Sequence, residues 1–505
     1  MRVLCFGLDG ADYDLVRELL AQGKLPTLSR LSREGAFGPL RSTTPPLTPV
    51  AWSSFLTGLN PGSHGIFGFS ANPHRAASRL ESAANRHGVP LWRLLGAGGI
   101  RSAFITVPFT YPAEPIGGVL VTGWGGPQRP EILPASARDR IRAAHPNLVT
   151  AQSPTGWWKD LDAFTQRLID HVDEIADVCL LAMELEPNLG LLCVDFMSSD
   201  IAGHLTWHRL DPTHPAHDEP GDDLVRVYES VDRACGELIE QATWLYDEEP
   251  TVVVLSDHGM KPTHWLFRTN RWLEEAGYLR YRPASASDQM RRQSRDEPPR
   301  AELDYDATRA YSVGYGGQIF LSDRADGDNR ALLAELAAGL AEVPHPETGN
   351  PVFVVKTKDE LYRGPFLDRA PDLFLLARDE RVHADSSSQL WDETIQRNER
   401  LVVGGSAGYS GQHAVTGILA AAGPGVRPAN IPEGTGIASL PATLLALLGL
   451  SSSLEAAPID SILTDRATPE RHVVAATPRA AVASPVYSKE EEQEMIKRLR
   501  ELGYE

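Results

Sequence analysis

Three short apolar runs, each closing on an acid, constrain this chain more than any other feature. Val3–Leu8 leads into Asp9-Gly10, the run 189–195 ends on Asp195, and Thr251–Leu255 leads into Ser256-Asp257-His258-Gly259. Runs this short and this uniformly apolar predict strands buried on both faces, as in a parallel sheet. Between them lie amphipathic helical patterns at Tyr13–Ala21, 28–34, Leu161–Leu185 and 222–246. Strands alternating with helices predict an α/β fold with right-handed crossovers. Ligands in such sheets bind at the carboxyl ends of the strands, where these acids fall.

The stretch 44–58 supplies a hydroxyl to the same chemistry. Thr48 precedes Pro49 and a short helical segment ending at Thr57-Gly58. Proline is favoured at the first helical position, because its missing N–H would be unpaired there. That places Thr48 at the helix N-cap, where unpaired N–H groups and the helix dipole attract an anion. A hydroxyl beside an anion site is what phosphoryl transfer asks of a nucleophile, although an ordinary capping threonine has the same pattern.

Metal-ligand residue types recur in four separated patches: Asp9, the pair Asp200 and His204, the pair Asp257 and His258, and His413. Asp200 and His204 are four residues apart, so a helical turn would put both on one face. Asp257 and His258 are adjacent after a strand and need loop geometry to share a centre. Each patch alone has a plain reading as a cap, turn or surface pair. Together they offer three Asp and three His beside Thr48. That is enough for two ions with nitrogen and oxygen ligands and no cysteine, zinc first, with manganese or iron as alternatives.

A net charge of −19 argues against non-specific binding to nucleic acid or to acidic membrane surfaces. Anionic substrates stay open, since a bound metal can dominate its local field. No run of 18 or more apolar residues occurs, so no transmembrane helix is expected, and the first apolar run is too short for a signal peptide. A cytoplasmic location is the default expectation. Cys5, Cys179, Cys193 and Cys235 form no C-x-x-C pair, and Cys5 and Cys193, in apolar strand-like runs, are expected as buried free thiols.

The 505 residues leave room for more than one domain. The expected division is a catalytic core over 1–260 and 409–465, an inserted cap over 261–408, a linker over 466–486 rich in Ala, Pro and Thr, and a C-terminal helix within 487–505. The polar stretch 284–300 reads as an exposed loop. Ser488 and Glu491 fit a capping box, and Met495, Leu499 and Leu502 could dock that helix on the body. Trp265, Tyr311, Tyr315 and Tyr409 could stack on a substrate ring or simply pack a core.

The motifs in order are Gly7-Leu-Asp9-Gly10, Thr48-Pro49, Thr57-Gly-Leu-Asn-Pro-Gly-Ser-His64-Gly-Ile66, Asp200-x-x-Gly-His204, Ser256-Asp257-His258-Gly-Met260 and Gly411-Gln-His413. In that order they resemble the alkaline phosphatase superfamily, and within it the type I phosphodiesterase/nucleotide pyrophosphatase family. The resemblance implies an alkaline-phosphatase-like, mostly parallel central sheet flanked by helices, with an inserted cap. It implies Thr48 as nucleophile, one ion held by Asp9, Thr48, Asp257 and His258, and another held by Asp200, His204 and His413. His64 lies in the motif but is expected to be structural.

One position departs from the pattern. Nucleotide pyrophosphatases carry an Asn shortly after the His-Gly-Ile motif that contacts a phosphoryl oxygen. Here that position holds Phe69, with Asn72 the nearest amide. Oxyanion stabilisation would then fall to the metals, to N–H groups at the helix start, or to another side chain such as Lys261.

The expected activity is hydrolysis of phosphodiester or phosphoanhydride bonds in a small-molecule substrate, through a phospho-threonine intermediate at a two-metal site. A phosphomonoesterase, phosphonate hydrolase, phosphomutase or phosphotransferase would use the same residues. A sulfatase fits less well, because no cysteine stands at position 48. The reading from another class is a non-catalytic, metal-stabilised binding protein. No nucleic-acid polymer and no membrane is expected as a partner, and the sequence leaves the oligomeric state open.

Overall fold

The computed structural model describes residues 1–71, 79–282, 303–314, 317–322, 329–386, 393–403, 406–474 and 486–501. Asn72, Tyr315, Leu502, the stretch 284–300 and part of the expected linker lie outside the described residues.

The core is one nine-stranded sheet. Its strands in chain order are β1 (Val3–Leu8), β2 (Ala36–Arg41), β3 (Arg101–Ile105), β4 (Gly118–Val121), β5 (Ile132–Leu133), β6 (Leu189–Phe196), β7 (Thr251–Leu255), β10 (Thr416–Ala422) and β11 (Ala429–Asn430), with β8 (Gly259–Pro262) and β9 (Gly411–Ala414) forming a separate ribbon. Across the sheet the order is β11-β2-β10-β7-β1-β6-β3-β4-β5. The run from β7 to β4 is parallel, whereas β10 pairs antiparallel with both β7 and β2, and β5 antiparallel with β4. All six residues of β1 are buried, which is why the central strands read as continuous apolar runs.

Alternation along β1 divides the core in two. Leu4, Phe6 and Leu8 pack with helices α1 (Tyr13–Ala21), α2 (Pro26–Glu34), α5 (Leu161–Leu185) and α7 (Asp223–Tyr246). Val3 and Cys5 pack on the other face with Ala51, Trp52 and Phe55 of α3 (Thr48–Thr57). The remaining labelled helices are α4 (Ala135–Ala144), α6 (Ser198–Leu210) and α8 (Lys489–Glu501). The four cysteines are buried and free. No helix among the described residues is long and apolar enough to cross a membrane.

Between β8 and β9 the chain builds a four-stranded antiparallel sheet and a three-stranded sheet around their own apolar cluster. Tyr311 is buried there and stacks on Phe320 at 5.6 Å, so it packs a core rather than facing a ligand. The paired strands Gly259–Pro262 and Gly411–Ala414 close the base of this excursion, with Pro262 opposite Gly411.

Candidate metal centre

Adjacent parallel strands β1 and β7 bring their carboxyl ends together, with Gly7 opposite Leu255 in register. Asp9 and the Asp257-His258 pair therefore emerge side by side. Two glycines make room around Asp9. A Cβ on Gly7 would lie 2.6 Å from Asp195 Oδ1 and 2.7 Å from the Trp52 ring. Gly10 has φ +69°, and a Cβ there would meet Asp200 Oδ1 at 2.9 Å. Helix α6 starts just after β6 and carries Asp200 and His204 one turn apart. Strand β9 places His413 opposite Met260 of β8. Helix α3 aims its first turn, with Thr48, into the same volume.

All seven sequence-nominated residues converge. Thr48 Oγ1 lies 3.3 Å from His258 Nε2. That nitrogen is 3.5 Å from Asp9, 3.4 Å from Asp257 and 4.0 Å from Asp200. Asp200 Oδ1 is 3.2 Å from His413 Nε2 and 3.5 Å from His204 Nε2. The His258 and His413 rings stack at 3.6 Å.

Backbone carbonyls set the tautomers. His204 Nδ1 donates to Gly411 O, His413 Nδ1 to Pro46 O and His258 Nδ1 to Gly259 O, at 2.9, 2.8 and 3.0 Å. With the proton on Nδ1, each ring turns an Nε2 lone pair toward the centre. The Nε2 atoms of His204 and His413 then face one another at 3.0 Å.

These residues fit cations. Asp9 Oδ1, both oxygens of Asp200 and Asp257 Oδ2 are buried without a hydrogen-bond partner. Converging carboxylates and lone pairs are costly in a dry site unless positive charge joins them. Among the described residues, two groups have ligand atoms close enough to share an ion: Asp9, Asp257 and His258, and Asp200, His258 and His413. His258 Nε2 thus sits between the two sets.

The electrostatics match. Burial first, then Asp257 and Asp200, holds the Asp9 carboxyl well above its ordinary range. Burial and Asp200 do the same to Asp257. Burial also pushes Asp200 upward, but His204, His413 and His258 outweigh it and leave its carboxyl depressed. Burial, reinforced by His258, lowers His413 to about 3.

The structure changes several details. Helix α3 begins at Thr48 with Leu47 as its N-cap, so Thr48 is not the cap itself. Three of the helix-start positions are closed to an oxyanion. Pro49 has no N–H, and those of Val50 and Ala51 bond Leu47 O at 2.9 and 2.8 Å. Lys261 does not serve that role either, because its ammonium is held by Asp12 at 2.9 Å and Asp14 at 2.8 Å. Phe69 is buried edge-on against Phe109 and Trp124. His64 is structural, as expected: it accepts from Ile66 N and bonds Ser54 of α3.

Sequence reasoning missed Trp52, whose Nε1 donates to Asp9 Oδ2 at 3.2 Å. It lies one helical turn after Thr48, a spacing that could have signalled it. It missed Ser199, whose hydroxyl donates to Asp9 O at 2.7 Å, and Asp195, a buried acid that burial and Asp9 push upward. Of the aromatics singled out, Tyr409 meets the site, edge-on to His204 at 5.3 Å.

Comparison with known proteins agrees with this fold. A family model described as type I phosphodiesterase / nucleotide pyrophosphatase matches residues 3–404. Among solved structures, an inactive murine ectonucleotide pyrophosphatase / phosphodiesterase 5 in complex with AMP is similar over 92% of this chain and 100% of that chain, at 15% identity and TM-score 0.53. Phosphonoacetate hydrolase from Sinorhizobium meliloti in complex with phosphonoformate is similar over 86% of this chain and 92% of that chain, at 16% identity and TM-score 0.51. At these identities the likeness is one of fold. No curated protein matches the sequence.

Proposed function

Because the chain belongs to the type I phosphodiesterase / nucleotide pyrophosphatase family, we propose that it hydrolyses phosphodiester or phosphoanhydride bonds in small molecules, with Thr48 as nucleophile. The observation that carries this is the position of the Thr48 hydroxyl, 3.3 Å from His258 Nε2 and at the rim of converging, hydrogen-bond-orphaned carboxylates. Two divalent cations, zinc first, held by Asp9, Thr48, Asp257 and His258 and by Asp200, His204 and His413, would supply Lewis-acid charge to a phosphoryl group and to a Thr48 alkoxide.

The chain's own groups do the rest. The fixed first turn of α3 orients Thr48 Oγ1 for in-line attack on phosphorus. The new Oγ1–P bond forms as the bond to the departing alcohol or phosphate breaks, and the phosphoryl group rests on Thr48 until water releases it. The three Nδ1–H bonds to carbonyls keep the imidazoles from swinging, so their Nε2 atoms stay aimed inward. Burial of Asp9, Asp200 and Asp257 keeps bulk water from screening the charge.

A phosphonate is the second reading. The solved phosphonoacetate hydrolase shares the fold, and Phe69 here replaces the amide that nucleotide pyrophosphatases bring to a phosphoryl oxygen. The deciding measurement is kcat/KM of the zinc-loaded protein for an aryl phosphodiester, its monoester and a phosphonate, beside Thr48→Ala. A diester preference that Thr48→Ala lowers by on the order of 10³ or more supports the proposal. A monoester or phosphonate preference moves the assignment to those reactions. No turnover of any of them by metal-loaded protein favours a non-catalytic binding role.

A further inference from the structure

The C-terminal helix α8 is docked on the body. Ser488 caps it reciprocally with Glu491, whose carboxylate accepts from Ser488 N at 2.7 Å. Met495 and Leu499 are buried in the same cluster as Ile66, Phe69, Phe109 and Trp124. A helix of 13 residues is marginal alone in water, so this docking is what holds it.

Its arginine reaches two loops of the core, one at Gly126 and one at Thr150. Arg498 is buried and donates to Gly126 O at 3.1 Å and to Thr150 Oγ1 at 3.0 Å. Its guanidinium lies 4.2 Å from the centre of the Trp124 ring. Trp124 meets Phe69 edge-on at 6.5 Å. Just before the helix, Tyr487 donates to Gly125 O at 2.6 Å and lies 3.2 Å from Glu81 O. Glu81 N in turn donates to Phe69 O at 2.7 Å. Two routes, one through a ring and one through the backbone, therefore join α8 to Phe69.

Phe69 closes the loop that begins at His64. That imidazole lies 3.0 Å from Ser54 Oγ, in the middle of the helix that presents Thr48. The same junction receives the excursion between β8 and β9: Arg369 donates to Glu81 Oε1 at 3.0 Å, and Phe366 N to Gly62 O at 3.1 Å.

We propose that Arg498 and Tyr487 are positioning residues for the active site, fixing the 64–71 loop and, through His64 and Ser54, the helix bearing Thr48. The proposal deepens the function proposed above and rests on it for the catalytic consequence only. An arginine suits the role because its planar fork reads a carbonyl and a hydroxyl while its face covers an indole, a geometry that lysine does not reproduce. Sub-ångström loosening of a nucleophile is enough to slow the chemical step while ground-state binding stays intact.

The test uses full-length, zinc-loaded Arg498→Met, with two readouts far below the melting temperature. Hydrogen exchange of amides in 60–71 and 48–58 should speed by about tenfold or more, because a hydrogen-bonded buried charge has been removed from the brace. kcat should fall about tenfold at nearly constant KM, and Arg498→Lys should recover only part of either change. Leu19→Ala, buried in α1, which packs beside β10 and away from the β4–β5 edge, is the control for lost stability alone and should move neither readout. Unchanged exchange in 60–71 for Arg498→Met, or an equal change in Leu19→Ala, would overturn the proposal. Wild-type protein inactive on every phosphoester would sink the assigned function instead, and the exchange arm would still decide the brace. If Arg498→Met does not fold, Tyr487→Phe carries the same comparison.

Discussion

Replacing Trp52 with Phe separates packing from metal support at Asp9. Trp52 is fully buried, and its indole N–H is a donor to Asp9 Oδ2 at 3.2 Å. The ring meets Phe55 edge-on at 5.0 Å, so Phe at position 52 keeps most of that contact. The lost volume of roughly 40 Å³ should cost about 1 kcal/mol as a cavity. Removing a hydrogen bond to a charged group costs about 1.5–3 kcal/mol more. Because that bond favours the ionised form of Asp9, its loss falls on the metal-binding form in particular. Metal affinity at the Asp9 side should therefore weaken about 10- to 100-fold, the usual effect of losing an outer hydrogen bond to a ligand. Competition titrations against a calibrated chelator measure that shift. Thermal melts in excess chelator measure the packing loss separately. Trp52→Phe protein that is destabilised but binds zinc as tightly as wild type would show that the indole only fills space, and the reasoning would be wrong.

Two further perturbations probe charge and capping. In chelated protein, burial raises the Asp9 and Asp257 carboxyls above their unfolded value, so the folded chain binds protons that the unfolded chain has released. That stability is present below the unfolded carboxylate value of about 4 and is lost as pH climbs through the raised folded values, whereas buried His413, lowered to about 3, adds stability as pH climbs through the unfolded imidazole value of about 6.5; in chelated protein the stability of wild type relative to Asp257→Asn should therefore fall between about pH 5.5 and about pH 8. A difference that is flat or rises over that range contradicts the assignment, and added zinc should stabilise the wild type by binding the ionised ligands. Asp232 of α7 accepts from Thr27 N at 2.9 Å and Leu28 N at 2.8 Å, capping α2, whose own N-cap Leu25 offers no side-chain acceptor. Asp232→Ala should lower stability by about 2 kcal/mol in urea unfolding, and a loss under about 0.5 kcal/mol would show that water takes over the cap.

The seven site residues were legible because their types are rare at the ends of apolar runs, and because Asp200 and His204 keep helical spacing. The parallel centre of the sheet was legible for the same reason as its burial: strands covered on both faces show no alternation. Strand β2 was not, since Pro39 interrupts it and its partners β10 and β11 come nearly four hundred residues later, about three quarters of the chain away. The carbonyls of Pro46, Gly259 and Gly411 that aim the imidazoles are backbone groups, which no side-chain pattern encodes. The fate of Lys261 depended on Asp12 and Asp14, whose nearness follows only from the fold. The start of α3 slipped by one residue, within the usual uncertainty of helix ends.

The pairing of Pro262 with Gly411 has an evolutionary consequence. Topologically, everything between those two residues is the loop of a single hairpin. The hairpin's own strands carry His413 and follow directly on Asp257 and His258, so the ligands are anchored on the near side of the turn. Insertions, deletions or wholesale exchange beyond Pro262 and Gly411 would leave their spacing unchanged. A lineage can thus exchange the intervening segment while keeping Asp257, His258 and His413 in place, and a chimaera cut at this hairpin is a direct way to swap that segment.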